Sequence, residues 1–395
     1  MEDKLPENLT IDIFSRLPIK SIISCKCVCK KWQSLVADPY FVDLHLARSR
    51  EEALMILECP DLRSPNVNPK TFLKWLEIDE HEHLDTIKSL NLKHCEPPLI
   101  AAFSSLLVPI GSVNGLVSYY WDKNGSVYIF NPLLEEYMTL PPPPPGGSLI
   151  TLGYGFGVST ATGEYKVIRI DSRRVSIYDP SETVVWAVGI QVYTLGTDQW
   201  RSLRQTTPKK NLDLGGLEGL GVYLDSHLYW IAVHAQIYDF DLSSETSELF
   251  PAPGENEDSN RMLGVLKGRL SCICWCSSVG GMEVWVMKEE SANWYKEINV
   301  IRPFSELSPW RPLCLIDGLE HGTSGALLVY VQVAEAEAEK LVAYYLNTKK
   351  IVSETPILWS NCSSITTYRP SFVKLDIFGS QRVRAMYNHS PQLTG

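Results

Sequence analysis

The chain has 395 residues, 45% apolar and 21% charged, with a formal net charge of −10 and a sequence pI near 5.4. That is ordinary globular composition, enough for two to three domains. An acidic balance argues against nucleic acid as the main ligand, because phosphate contacts call for a basic face. The polar start Met1-Glu2-Asp3-Lys4 is not a secretory signal, and no stretch approaches the roughly 18 apolar residues of a spanning helix, so no membrane partner is expected. The ten cysteines are scattered or clustered as Cys25-Cys27-Cys29 and Cys272-Cys274-Cys276. Neighbours that close rarely pair, so they are expected as reduced thiols of a cytoplasmic and/or nuclear protein.

The first 45 or so residues are predicted to be helical. Leu9, Ile13 and Leu17, with Phe14 beside them, form one apolar stripe at helical spacing. Pro6 suits an early helical turn, and Leu17-Pro18 closes the segment because a residue before proline avoids the helical region. A second helix is expected from Lys20 to Val28 and a third from Cys29 to Val36. Asp38-Pro39, a capping acid followed by proline, then starts a short helix through Phe41, Leu44 and His45.

After about residue 50, short β-branched and aromatic runs alternate with Gly, Asn, Asp and Pro clusters, which predicts an all-β region. A unit recurs: a strand after a tight turn, a second aromatic strand, then a short closing strand. It is seen at Asn114–Tyr120 with Val127–Pro132, at Ser226–Ile231 with Ile237–Asp241, and at Gly268–Ile273 with Met282–Met287. Gln191–Thr194 with Trp200–Leu203, Leu341–Tyr345 with Ile351-Val352, and Leu54–Leu57 with Phe72–Leu76 bring the number to about six. The spacing is near that of kelch-type propeller blades, and radial packing protects sheet edges. A propeller-like domain of about six blades is expected, with a two-sheet sandwich as the alternative. The segment Ser371–Leu375 is expected to pair with the first blade and close the ring.

Two of these regions carry a family resemblance. Leu5-Pro6-Glu7-Asn8-Leu9, Ile13-Phe14-Ser15-Arg16-Leu17-Pro18-Ile19-Lys20-Ser21 and Cys27-Val28-Cys29-Lys30-Lys31-Trp32 resemble the F-box, and the trailing Leu35, Asp38–Phe41 and His45-Leu46 fit its plant form. Asn8 replaces the usual acid, and Ser24-Cys25-Lys26 stands where the plant pattern commonly has Arg-Phe-Arg. The β region resembles the F-box-associated domain of plant F-box proteins, a relative of kelch-repeat propellers. That resemblance rests on Gly111–Leu116 with Ile129–Pro132, Gly153–Phe156 with Glu164–Val167, Leu228–Trp230 with Phe240–Leu242, and Val284–Met287. The implied organisation is a three-helix F-box over residues 1–48 and a propeller-like domain over 49–395.

The resemblance implies a non-catalytic substrate receptor of an SCF-type cullin-RING ubiquitin ligase. The F-box would bind a Skp-type adaptor and through it a cullin, and the β domain would capture a protein whose identity the sequence does not give. Carried over residue by residue, Leu5, Pro6, Ile13, Leu17, Pro18, Ile19, Val28 and Trp32 form the adaptor interface or its direct support, with Trp32 the strongest single anchor. The residues agree in kind: a segment this small buries little surface alone, yet it holds too many apolar side chains for all to point inward. The alternatives are an adaptor-bound scaffold outside a ligase, or a kelch-type propeller enzyme such as a copper oxidase.

No cofactor or metal is expected. Gly153-x-Gly155-x-Gly157 lacks the strand–turn–helix context of a nucleotide loop and reads as turn glycines. His81 and His83 read as part of a solvated acidic loop, and Cys272, Cys274 and Cys276 as thiols on one face of a strand. Pro141 to Pro145 read as a stiff connection between blades. Loops around 205–220, 253–262 and 302–312 are expected to meet the target, since binding concentrates on loops.

Overall fold

The computed structural model describes residues 5–49, 53–58, 72–78, 84–91, 107–121, 125–144, 149–175, 185–203, 217–254, 260–276, 281–288, 293–301, 310–316, 326–333, 338–346, 349–356, 362–379 and 382–386. Four helices come first: α1 (Glu7–Phe14), α2 (Ile19–Lys26), α3 (Lys30–Val36) and α4 (Pro39–Arg48). Pro6 and Pro18 stand immediately before α1 and α2, where a fixed φ helps and a missing N–H costs nothing. The side chain of Asp38 accepts a hydrogen bond from the Tyr40 backbone N–H at 2.8 Å and so caps α4. The short helix expected after Asp38-Pro39 is thus α4, which follows the three helices expected of the F-box.

The strands among the remaining described residues form six antiparallel sheets. The first contains β1 (Ala53–Glu58), β2 (Phe72–Ile78) and β3 (Leu84–Asn91), the second β4 (Leu107–Val113), β5 (Leu116–Trp121), β6 (Val127–Asn131) and β7 (Glu136–Thr139). The third runs through β8 (Leu149–Val158), β9 (Tyr165–Val175), β10 (Val185–Thr194) and β11 (Trp200–Leu203). The fourth holds β12 (Leu217–Leu224), β13 (His227–Ala232), β14 (Gln236–Asp241) and β15 (Ser247–Pro251). The fifth is β16 (Asn260–Leu266), β17 (Arg269–Cys276), β18 (Gly281–Met287) and β19 (Trp294–Ile301), and the sixth β20 (Trp310–Ile316), β21 (Ala326–Val333), β22 (Ala338–Tyr345) and β23 (Lys350–Pro356).

Two late strands return to early sheets. β24 (Cys362–Tyr368) becomes the innermost strand of the first sheet, paired antiparallel with β1, and β25 (Val383–Ala385) adds an outer strand beside β7. The innermost strands follow one another around a ring: β24 beside β4, then β8, β12, β16, β20 and back to β24. This is a six-bladed propeller, closed by the C-terminal part of the chain. The closing strand is Cys362–Tyr368, not the expected Ser371–Leu375. The latter lies extended against the second blade and has another task.

Between blades the packing is tight where glycines allow it. Gly153, Gly155 and Gly157 lie within β8, which corrects their assignment to a turn. A Cβ at Gly155 would stand 2.5 Å from the Trp230 ring, and one at Gly157 would stand 2.5 Å from that of Tyr223. Removing three side chains from one face of β8 thus makes room for Trp230, which is fully buried and donates its Nε1–H to the Tyr154 carbonyl at 3.0 Å. Lys166, also buried, spans the same two blades through the Leu242 carbonyl at 2.7 Å and Glu245 at 2.9 Å.

The helices are not a separate body. One continuous apolar cluster contains Phe14, Ile19 and Phe41 from the helices, Tyr119 and Phe130 from the second blade, and Tyr368, Phe372 and Leu375 from the C-terminal return. The Phe372 ring meets Phe41 at 6.4 Å and His45 at 5.8 Å, and the Lys26 amine lies 5.4 Å above it. The Arg369 guanidinium donates to the carbonyls of Leu46 and Ser49 at the end of α4. Burial holds the His45 imidazole below its ordinary value of 6.5; a hydrogen bond with the Leu17 backbone opposes this and the charge of Arg369 adds to it.

Two predictions follow from these contacts. Gly155→Val should lower stability by about 3 kcal/mol in chemical denaturation, because the new side chain must displace the Trp230 ring in a filled core. Gly189→Ala, with nothing within 4 Å of the added carbon, is the matched control and should be near neutral. His45 should make the fold acid-sensitive. Its folded pKa is depressed, so the unfolded chain takes up a proton at higher pH than the native one, and the contribution is lost as pH falls through 6.5 toward the folded value. The drop in melting temperature between about pH 7.5 and 5.5 should be smaller in His45→Gln than in the wild type.

Candidate partner-binding surface

The helical unit has more apolar side chains than its interior holds, and the structure sorts them. Phe14, Ile19, Ile22, Leu35, Val36 and Phe41 are buried. Leu5, Leu9, Ile13, Ile23 and Val28 face outward, Val28 with 65% of its surface exposed. On α1 the split follows helical geometry: Thr10 and Phe14 turn inward, while Leu9 and Ile13, also one turn apart, turn out. The apolar stripe at Leu9 and Ile13 is therefore a surface stripe. Exposed large apolar side chains grouped on one small unit mark a docking surface.

The eight residues expected at an adaptor interface fall into three groups. Leu5, Pro6, Ile13, Pro18 and Val28 are exposed. Ile19 is buried at 1% and is placed to support the surface from below. Leu17 and Trp32 are partly buried against the core. The Trp32 ring packs edge-on against Phe14, centroids 4.9 Å apart, so this side chain sets the position of α1 as well as offering a face to solvent. Leu9 and Ile23 belong to the same exposed set although they were not singled out. For Ile23 the signal was present: of the neighbours Ile22 and Ile23 on a short helix, only one can face in.

Polar contacts hold these helices in register. Arg48 at the end of α4 donates to the Asp12 carboxylate at 2.7 Å and to the Ser15 hydroxyl at 2.6 Å, and Arg16 pairs with Asp12 from the next turn. Hydrogen bonds from Arg16 and then Arg48 hold the Asp12 carboxyl below the usual carboxylate range. Behind Val28, a shallow depression is lined by Ile23, Lys26, Cys27, Cys29, Lys30 and Gln33. Acidic groups of a partner would meet lysines there.

The propeller has its own concavity. A central channel of about 470 Å³ is lined by the innermost strands β4, β12, β16, β20 and β24, with Arg261, Asp225 and Thr366 among its polar groups. Of the loops expected to meet a target, only strand ends and residues 253–254 are described. Residues 217–220, 260–262 and 310–312 start the inner strands β12, β16 and β20 instead of forming loops, and the remainder of those three loops lies outside the described residues.

Among the described residues no group of three or more His, Cys, Asp and Glu is placed to hold a metal. Cys272 and Cys274 are buried on β17 with sulfurs 3.9 Å apart; the side chain of Cys276, and His81 and His83, lie outside the described residues. Residues 141–144 have no regular structure, and the Pro141 carbonyl accepts the Trp200 Nε1–H at 2.8 Å, which fastens this connection to the third blade.

Comparison with known proteins places both parts. An F-box domain matches residues 3–44, and the F-box associated beta propeller domain matches residues 68–357. The F-box/kelch-repeat protein At3g23880 of Arabidopsis thaliana is 25% identical over 334 residues, covering 80% of this chain and 84% of its own length. From the same organism, F-box protein At3g07870 is 28% identical, covering 75% of this chain and 73% of itself. F-box protein CPR1 is 27% identical, covering 78% and 76%. A helical unit with an outward apolar face, fixed to a six-bladed ring and matched along most of its length, makes this chain a member of the F-box proteins that carry an F-box-associated β-propeller domain.

Proposed function

We propose that the chain is the substrate-recognition subunit of an SCF-type cullin-RING ubiquitin ligase, working in the cytoplasm and/or nucleus. The F-box docks on a Skp-type adaptor that links to a cullin, and the propeller holds the protein to be ubiquitinated. The observation that supports this most directly is the exposed set Leu5, Leu9, Ile13, Ile23 and Val28 on a unit whose interior is already full. Such a face requires a partner, and an F-box is the kind of unit whose partner is a Skp-type adaptor.

The chain then contributes proximity and no bond chemistry. Holding a target lysine beside a charged ubiquitin-conjugating enzyme replaces a bimolecular encounter by a local one, which is a large effect on rate. Among the described residues, the central channel is a part of the propeller open to a target.

Capture of adaptor and cullin by the intact chain, in plant extract or with pure components, tests the proposal, and absence of both from the pull-down defeats it. Ile13→Asp combined with Val28→Asp should weaken adaptor binding at least about tenfold, or ~1.4 kcal/mol. Since both side chains are exposed, thermal unfolding should be unchanged. Trp32→Ala with Leu17→Ala should weaken capture too, but with a loss of F-box stability because both pack against the core.

A further inference from the structure

Among the described residues, the segment 369–375 touches both the F-box and the propeller, and its contacts on each side have definite partners. On the propeller side, Asn131 is fully buried and donates to the carbonyls of Ser371 at 3.1 Å and Val373 at 2.6 Å. Its own Oδ1 accepts the N–H groups of Leu133 and Leu134 at 3.0 and 3.2 Å. Gly115, at φ 78° in the β4–β5 turn, lies so close that an added Cβ would stand 2.6 Å from the Ser371 nitrogen. The Ser371 hydroxyl donates to the Asn114 carbonyl, and the Leu375 N–H to Glu136 at 3.3 Å.

On the F-box side the same segment presents Phe372 to Phe41, His45 and Lys26, and Arg369 to the carbonyls that end α4. Phe372 is 3% exposed and Phe41 and His45 are 0% and 1%. Phe372, Phe41 and His45 are buried against one another, and none of the exposed Leu5, Leu9, Ile13, Ile23 and Val28 takes part.

We propose that residues 369–375 are a positioning element: they fix the F-box at one orientation on the propeller, and so fix where a captured target is presented relative to the rest of the ligase. Arg369 and Phe372 are its positioning residues. Because the segment follows β24 directly, only a chain whose ring has closed carries a fixed F-box. The part concerning presentation rests on the function proposed above; the fixed orientation does not.

The experiment separates the two. Fluorophores are placed at Gln33 on α3 and Lys288 after β18, both exposed, through non-natural amino acids, and single-molecule energy transfer is read on the full chain alone. The wild type should give one narrow distribution, and Arg369→Ala/Phe372→Ala a broad one, with Phe372→Tyr restoring the narrow form. The propeller of the double variant should keep one cooperative thermal transition, at a lower temperature because a buried ring is lost, and adaptor affinity should stay within about threefold of wild type. A double-variant distribution as narrow as the wild type's, and centred at the same value, overturns the proposal. So does broadening that appears only together with loss of the propeller's thermal transition, and then Phe372→Leu, which keeps most of the buried area, gives the second reading of the same distribution. Adaptor binding absent in every form, the wild type included, defeats the proposed ligase role and leaves the orientation result standing.

Discussion

The buried side chain of Asn131 holds the one junction on which the rest of the structure depends. A propeller is a repeated sheet laid around an axis, and its first and last blades must be joined or each leaves an open edge of unpaired backbone groups. Here β24 supplies the missing inner strand of the first blade and the chain then passes straight onto the second, where Asn131 takes up two of its carbonyls. A neutral amide can do this because all its hydrogen-bonding groups find partners, two given and two received. An apolar side chain at that place would leave the carbonyls of an extended, strandless segment buried and unpaired, each costing on the order of 1–3 kcal/mol.

The F-box draws on the same junction. Helices of 7 to 10 residues are marginal alone, and this unit turns part of its apolar surface outward and so gives it up for stability. It recovers area on the opposite side, where Phe41 and His45 share a core with Phe372 and with the second blade. Two demands on one small unit, a sticky outer face and a stable inner one, are met by dividing its surface between them.

Much of this was legible in the sequence. The helix boundaries near Pro6, Leu17-Pro18 and Asp38-Pro39, and the blades marked by recurring aromatic strands after tight turns, were legible because those signals are local. What was misread depended on distant packing. Ser371–Leu375 looks like a closing strand because it is apolar, yet it is apolar through burial between two domains, with no strand beside it. The true closing strand, Cys362–Tyr368, is rich in Ser and Thr because an inner strand borders the central channel and is not apolar on both faces. The glycines of β8 looked like turn residues because their reason for being there is Trp230, 75 residues further on. For the adaptor face, periodicity marked the stripe at Leu9 and Ile13 but could not say which way it pointed; that depended on Phe14 and Trp32 filling the interior first.

The same geometry divides the two ends of the ring. The β4–β5 turn at Asn114-Gly115, the β6–β7 turn after Asn131 and the β8–β9 turn at Ser159 all lie at one end, since Asn114 bonds the Tyr165 hydroxyl at the start of β9 and Ser159 and Thr160 bond Ser243 and Ser226 in the turns of the fourth blade. The F-box and the C-terminal return occupy this end through Gly115 and Asn131. Strands that leave it antiparallel put the ends of β7, β11 and β15, and the starts of β8, β12 and β16, at the other end. At the F-box end the second blade is committed to buried contacts with the C-terminal return, and backbone held in that way lacks the freedom to vary that exposed loops have.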